Sequence, residues 1–440
     1  MVGLLRVFVR SFGCSSSLAD GEVLAGCLSS AGFELVDSVE AADVVVLNTC
    51  AVKSPTENKM IHLLQAVPSD KRLVVAGCLP LIDFSRLSRE VRFDAVVGPA
   101  FGERIVDVVR RVAAGEKIIA LDGVSRVPGL GLSRVRLNPV VGIVPVTYGC
   151  VGECSYCCVR FARGKLRSYS VGDVVNHVQR SLGEGVKEFW FTGQDVACFG
   201  LDLNDAGVGL VDLLRRVCGV EDFGGFWVRV GMLTPSLLLG FVDDYVDFLS
   251  KQAEAAGRVF EFLHLPVQSG DDEVLGLMRR RYYVEDFRRL VALFRRALPR
   301  VTFATDVIVG FPGEDEEAFR NTIALIEDLK PDIVNVSKFF ARPNTLAEKM
   351  KNKVDAAELG RRSEVLAGVA RRISLEKNKA WVGWRGQVLI DEAGKRAGSW
   401  VGRNFAYKPV VVRSDEDLFG RVLNVRVVGA FQSHLLGEIE

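Results

Sequence analysis

The feature that most constrains this chain is the loop Tyr148-Gly-Cys-Val-Gly-Glu-Cys-Ser-Tyr-Cys157, directly after the apolar run at residues 141–147. It sets Cys150, Cys154 and Cys157 in a Cys-x3-Cys-x2-Cys array. Three thiolates on one short loop can hold three irons of a 4Fe–4S cluster and leave the fourth iron open. Zinc sites more often use two separated Cys-x2-Cys pairs, or cysteine pairs with histidine. The four histidines, His62, His177, His264 and His434, offer no such partner nearby.

The rest of the chain has to build a scaffold around that loop. With 440 residues it should hold two or three domains with large cores. Its 56 basic and 55 acidic residues nearly cancel, so a nucleic-acid surface would have to be a local patch. Residues 4–9 include Arg6 and read as a strand rather than a signal peptide, and no apolar run approaches a membrane span. Ten cysteines in a chain of this size suggest metal sites in a reducing cytoplasm rather than a disulfide scaffold.

The α/β pattern falls into three segments. Residues 1–120 alternate short apolar runs (4–9, 44–47, 73–76, 95–97) with amphipathic helical stretches, as in a doubly wound parallel sheet. Residues 121–140 have the composition of a linker, with Pro128, Gly129, Gly131 and Pro139. Residues 141–375 restart the alternation with strands expected near 142–147, 188–191, 226–230, 260–265, 303–309 and 333–336. Six βα units make a partial, TIM-like (βα)6 barrel. Residues 376–440 bring short alternating strands between glycines, which reads as a small antiparallel β-barrel.

A second cysteine set is dispersed. Cys14, Cys50 and Cys78 each follow a strand of the first segment: Val9-Arg-Ser-Phe-Gly-Cys14, Leu47-Asn-Thr-Cys50 and Val75-Ala-Gly-Cys78. In a parallel sheet the loops after the strands emerge on one edge, where ligands bind, so these thiols should converge on a second cluster. The competing reading is three ordinary core cysteines. Cys27, Cys158, Cys198 and Cys218 are read as structural.

Other candidates sit on the expected C-terminal rim of the barrel. Gln194 and Asp195 end the second strand and could accept hydrogen bonds from an ammonium. Gln268 and Ser269 end the fourth, placed for ribose or methionyl groups. Gly310 ends the fifth, where glycine lets backbone approach a base. Glu314 follows it, as a ligand contact or a helix cap. Lys395, Arg396, Arg403 and Lys408 of the last segment are the expected RNA-binding residues, with the run Arg279-Arg-Arg-Tyr-Tyr283 as a weaker one.

The motifs Ser11-Phe-Gly-Cys14, Asn48-Thr-Cys50-Ala-Val and Ala76-Gly-Cys78-Leu-Pro, followed by the Cys-x3-Cys-x2-Cys loop, resemble the methylthiotransferases of the radical S-adenosylmethionine superfamily. The resemblance spans the whole chain and extends to a TRAM-type barrel at the C-terminus. Val159-Arg-Phe-Ala-Arg-Gly-Lys165, Arg229-Val-Gly-Met232 and Gly402-Arg-Asn404 make it most similar to the archaeal and eukaryotic branch that acts on threonylcarbamoyladenosine in tRNA. Three positions depart from that pattern: Ser17 stands for asparagine, Cys158 for an aliphatic residue or lysine, and Asn344 for glycine.

The resemblance implies two 4Fe–4S clusters, S-adenosylmethionine, a tRNA anticodon stem-loop as partner, an external electron donor and a sulfur donor. It implies methylthiolation of adenine C2 at position 37. An isopentenyladenosine-type tRNA enzyme, one that modifies a ribosomal-protein aspartate, and a non-catalytic cluster-bearing RNA-binding protein are the alternatives.

Overall fold

The computed structural model describes residues 4–121, 127–204, 207–221, 225–255 and 257–440; residues 122–126 of the expected linker lie outside them. The first segment is a six-stranded, wholly parallel sheet. Its strands are β1 (Arg6–Ser11), β2 (Glu34–Leu35), β3 (Val44–Thr49), β4 (Arg72–Gly77), β5 (Ala95–Val97) and β6 (Ile118–Ala120), in the order β2-β1-β3-β4-β5-β6. Val44 to Thr49 are all buried, as a central strand covered on both faces must be. The order reverses between β1 and β3, and a doubly wound sheet opens its ligand crevice at such a point. The edge strands β2 and β6 were not expected from the sequence. At two and three residues they are too short for a hydrophobic period to register.

The middle segment places six parallel strands in chain order. They form two hydrogen-bonded triplets: β7 (Val141–Pro145) with β10 (Glu188–Thr192) and β11 (Trp227–Val230), then β12 (Phe262–His264) with β13 (Thr302–Val309) and β14 (Ile333–Lys338). The triplets are joined by Phe260 N to Val228 O (3.0 Å) and Leu233 N to His264 O (2.9 Å). Each expected strand has its counterpart. The short hairpin β8 (Thr147–Tyr148) with β9 (Arg167–Ser168) brackets the cysteine loop. Helix Val171–Gly183 begins as its Ser170-x-x-Asp173 spacing predicts, Ser170 Oγ accepting from Asp173 N at 3.1 Å.

The last segment closes into a five-stranded barrel, β15 (Arg385–Ala393), β16 (Ser399–Arg403), β17 (Pro409–Arg413), β19 (Leu435–Ile439) and β18 (Val422–Ala430). One pair departs from the antiparallel expectation: β17 and β19 run parallel. The helix Ala356–Lys379 runs through the expected boundary at 375/376.

The three parts pack as one body. Helix Val159–Arg163, just past the cysteine loop, sends Ala162 into the core of the first segment, together with Cys158. Ser15 Oγ meets Thr192 Oγ1 at 2.6 Å, which seats the first segment on the rim of the half-barrel. At the opposite end the small barrel supplies a floor. The Tyr407 ring lies 4.9 Å from Phe260 and 5.1 Å from Phe262. Lys408 is buried, with Nζ 2.7 Å from Asp332 and 2.9 Å from Asn378 Oδ1.

Candidate functional site

Backbone shape sets the cysteine loop. Gly149 has φ +73°, and a Cβ there would meet Lys165 O at 2.0 Å, so only glycine lets the loop leave β8. Cys150 Sγ accepts from Gly152 N at 3.1 Å. Ser155 ties the loop down, its N bonding Met278 O (3.1 Å) and its Oγ bonding Leu277 O (2.8 Å). Cys154, Cys157 and Cys150 are free, partly exposed thiols. Burial pushes the Cys150 thiol up to about 12 and raises that of Cys157 as well. A metal bound by Cys150 and Cys157 would have to displace their protons.

Arg280, which sequence reasoning assigned to an RNA surface, stands inside this site. Its Nη1 lies 3.4 Å from Cys154 Sγ, and its Nη2 donates to Pro266 O at 3.1 Å. The run splits by alternation: Arg279, Arg281 and Tyr283 are exposed, whereas Tyr282 is buried and donates to Val267 O at 2.6 Å. Charge beside aromatics is the same signal for a wet face and for a buried clamp, so composition alone could not separate them.

The dispersed cysteines do come together at the C-terminal edge of the sheet, after β1, β3 and β4, which are neighbours in space. They are not three consecutive strands, because β2 intervenes in the chain. At Gly13 (φ +111°) a Cβ would lie 2.9 Å from Cys50 Sγ. Burial raises the Cys78 thiol to about 12 and raises Cys50 too, with Cys14 adding to both and the Arg163 guanidinium opposing them. Arg163 is the buried cation of this set, 2.8 Å from Asp20 and donating to Ser17 Oγ at 3.2 Å. Ser17 therefore has a partner of its own. Cys27, Cys158 and Cys198 are buried and Cys218 packs against the central core.

Both donor sets suit polynuclear iron. Each offers three free thiols, and each faces an arginine that can offset the charge of a thiolate cluster. Among the described residues no three His, Cys, Asp or Glu side chains close on a single metal ion. Thiolates of a 4Fe–4S cluster bind separate irons and need no such common point.

The rim residues divide. Gln194 Oε1 accepts from Gly149 N at 2.7 Å, bracing the cysteine loop. Asp195 is buried and accepts from Ala197 N and Thr234 N, both at 3.1 Å, so it holds the rim together. Gln268 keeps a left-handed φ of +72°, and its side-chain amide makes no hydrogen bond among the described residues. Three others have neighbours within the chain. Ser269 is fully buried against Thr322 (3.5 Å) and also accepts from Asp271 N. Gly310 (φ +72°) gives its room to the chain itself, since a Cβ would lie 2.2 Å from Leu359 Cδ1. Glu314 does not cap the next helix, a role Asp315 takes; its Oε1 binds Gly310 N and Arg362, both at 2.8 Å.

The expected RNA-binding set divides as well. Lys395 and Arg396 are exposed on the turn between β15 and β16. Lys408 is spent on Asp332, and Arg403 turns inward to Asp391 (3.2 Å) and the Tyr407 ring. Lys408 fastens the small barrel to the core, whereas Arg403 is held by partners within the barrel itself.

Sequence reasoning left out the wall of the half-barrel's lumen. His264 Nε2 lies 3.2 Å from Asp306 Oδ2, whose other oxygen accepts from Asn335 at 2.8 Å. Burial works against the Asp306 carboxylate, but His264, Asn335 and Lys53 hold it below the usual range. Arg229 lies below, within 5.0–5.7 Å of the rings of Phe262, Tyr407 and Trp190. Strand alternation could have nominated Arg229 and His264, each the polar residue of its strand.

Residues 144–326 match the model of the Radical SAM superfamily, and residues 6–98 that of the Uncharacterized protein family UPF0004. A probable threonylcarbamoyladenosine tRNA methylthiotransferase of Pyrococcus horikoshii is 37% identical over 439 residues, which cover 99% of this chain and 100% of that one. The chain belongs to the threonylcarbamoyladenosine tRNA methylthiotransferase family. A human member is 32% identical over 99% of this chain and 74% of its own length. A radical S-adenosylmethionine methyltransferase from Kitasatospora setae shares the fold at TM-score 0.56 and 17% identity, over 78% of this chain and 74% of that one. Family membership fits the two cysteine sets. No helix of the described residues is long and apolar enough to cross a membrane.

Proposed function

We propose that this chain replaces the C2 hydrogen of N6-threonylcarbamoyladenosine, at position 37 of a tRNA anticodon loop, with a methylthio group. The observation that carries the reading is the placing of two three-cysteine sets at one junction. The loop with Cys150, Cys154 and Cys157 lies at the end of β8, and Cys14, Cys50 and Cys78 lie at the sheet edge seated on the same rim through Ser15 and Thr192. Full-length identity to relatives of that name supports the substrate class.

In this reading each set holds a 4Fe–4S cluster, two in all, and S-adenosylmethionine binds at the first. When bound, these groups supply the electron, the radical, the sulfur and the methyl group, which are chemistry no side chain offers. The chain's own task is placement. Gln194 and Asp195 fix the rim, Gln268 offers its free amide, Arg280 and Arg163 balance thiolate charge, and the Tyr407 floor excludes water from below. An anticodon loop presents its bases unstacked at low cost, which suits a pocket that must reach a ring edge. Lys395 and Arg396 offer phosphate contacts. An external electron donor and a sulfur donor complete the system.

Nucleoside analysis tests the reading. tRNA from a strain lacking this chain should lose 2-methylthio-N6-threonylcarbamoyladenosine, and the reconstituted protein with a reductant should restore it. Loss of a methylthio group from isopentenyladenosine or from a ribosomal-protein aspartate instead would overturn it.

A further inference from the structure

Lys53 lies three residues after Cys50, on the loop that the first segment holds over the open half-barrel. It is exposed, and its Nζ donates to Ser337 Oγ, a neutral hydroxyl on β14, at 2.5 Å. Asp306 feels its charge, yet both oxygens of Asp306 are already engaged by His264 and Asn335. An ammonium has three protons to donate, so Lys53 reaches the mouth of the lumen with capacity to spare. Ser337, Asn335 and Asp306 all lie on β13 and β14, at the far edge of the half-barrel from β7 and the cysteine loop.

The chemistry of the base completes the argument. The N6 arm leaves the adenine ring on a different side from C2. A base with C2 turned toward the cysteine loop can carry its N6 arm to the β13–β14 wall. A hydrocarbon arm would leave the spare donors of the Lys53 ammonium without partners, at a desolvation cost. A threonylcarbamoyl arm brings a hydroxyl, a urea and a carboxylate. Resting on the function proposed above, we infer that Lys53 is the specificity-determining cation for the carboxylate of the N6 arm, with Asp306, Asn335 and His264 meeting its neutral polar groups.

The test uses the full-length protein and three anticodon stem-loop RNAs. One carries threonylcarbamoyladenosine, one the same base with its carboxylate converted to a carboxamide, and one plain adenosine. Wild type should bind the acid about tenfold more tightly than the amide, as one charge-assisted hydrogen bond allows. Lys53→Met should bind acid and amide alike, Lys53→Arg should keep most of the preference, and affinity for the plain RNA should not change. Because Lys53 is exposed, the variant's melting temperature should match wild type and certify the fold. Equal wild-type affinity for acid and amide would overturn the inference. So would a preference that survives Lys53→Met but disappears in Arg229→Met, or a loss of S-adenosylmethionine affinity in Lys53→Met without RNA. If wild type methylthiolates the amide as readily as the acid, this inference fails and the proposed function stands. If it methylthiolates neither, the proposed function itself fails.

Discussion

The two cysteine sets reach one junction by opposite routes. Cys150, Cys154 and Cys157 are held within eight residues by local backbone, with Gly149 supplying the one conformation that other residues resist. Cys14, Cys50 and Cys78 come from three strand ends and meet only because β1, β3 and β4 are neighbours in a parallel sheet. The first set is a motif and the second is a consequence of topology. A local site can form before its domain is complete, whereas a dispersed one depends on the whole sheet. The cation beside each set differs in origin too. Arg280 serves the loop from within the same segment, whereas Arg163 crosses from the core to serve the first.

The largest test separates the jobs. Replacing Cys150, Cys154 and Cys157 together by Ala should remove about half of the iron in anaerobically reconstituted protein, about four of eight atoms, and abolish reductive cleavage of S-adenosylmethionine. Full iron content in that variant would break the comparison at its root.

A narrower test removes one thiol of the dispersed set. Cys78→Ala should abolish methylthiolation of tRNA while 5′-deoxyadenosine is still released from S-adenosylmethionine. Loss of both activities in a folded variant would mean the two sets do not work separately.

The smallest effect sharpens the role of the cation that crosses over. Arg163→Met leaves Asp20 buried without its partner, and breaking such a pair costs about 3–5 kcal/mol. Urea denaturation should show that loss, while cleavage of S-adenosylmethionine by the folded fraction persists. An unchanged midpoint would make Arg163 a bystander.

Legibility followed the same divide. The six core strands and the Cys150–Cys157 loop could be read because hydrophobic alternation and motif spacing are properties of neighbours in sequence, whereas the dispersed cysteines needed the added inference of a parallel sheet. Polar residues at the rim could be nominated but not assigned. Ser269, Gly310 and Glu314 also have Thr322, Leu359 and Arg362 beside them, residues brought in by distant helices that the sequence does not place. Lys408 shows the same limit. A lysine on a small barrel reads as an RNA contact until Asp332 of the core is found against it. Asn344 is the reverse case, explained once its φ of +65° is known, since asparagine is among the few side chains that accept that region.

Tyr407 belongs to the small barrel, yet it lines the bottom of the core's lumen with Phe262 and Arg229. A chamber whose base is supplied by a different domain has its traffic confined to the top, where the cysteines are. A modified base must then back out along the path by which it entered, ahead of its successor. Turnover in such an enzyme is a queue at one door, and cutting away residues 376–440 would knock a hole in the far wall.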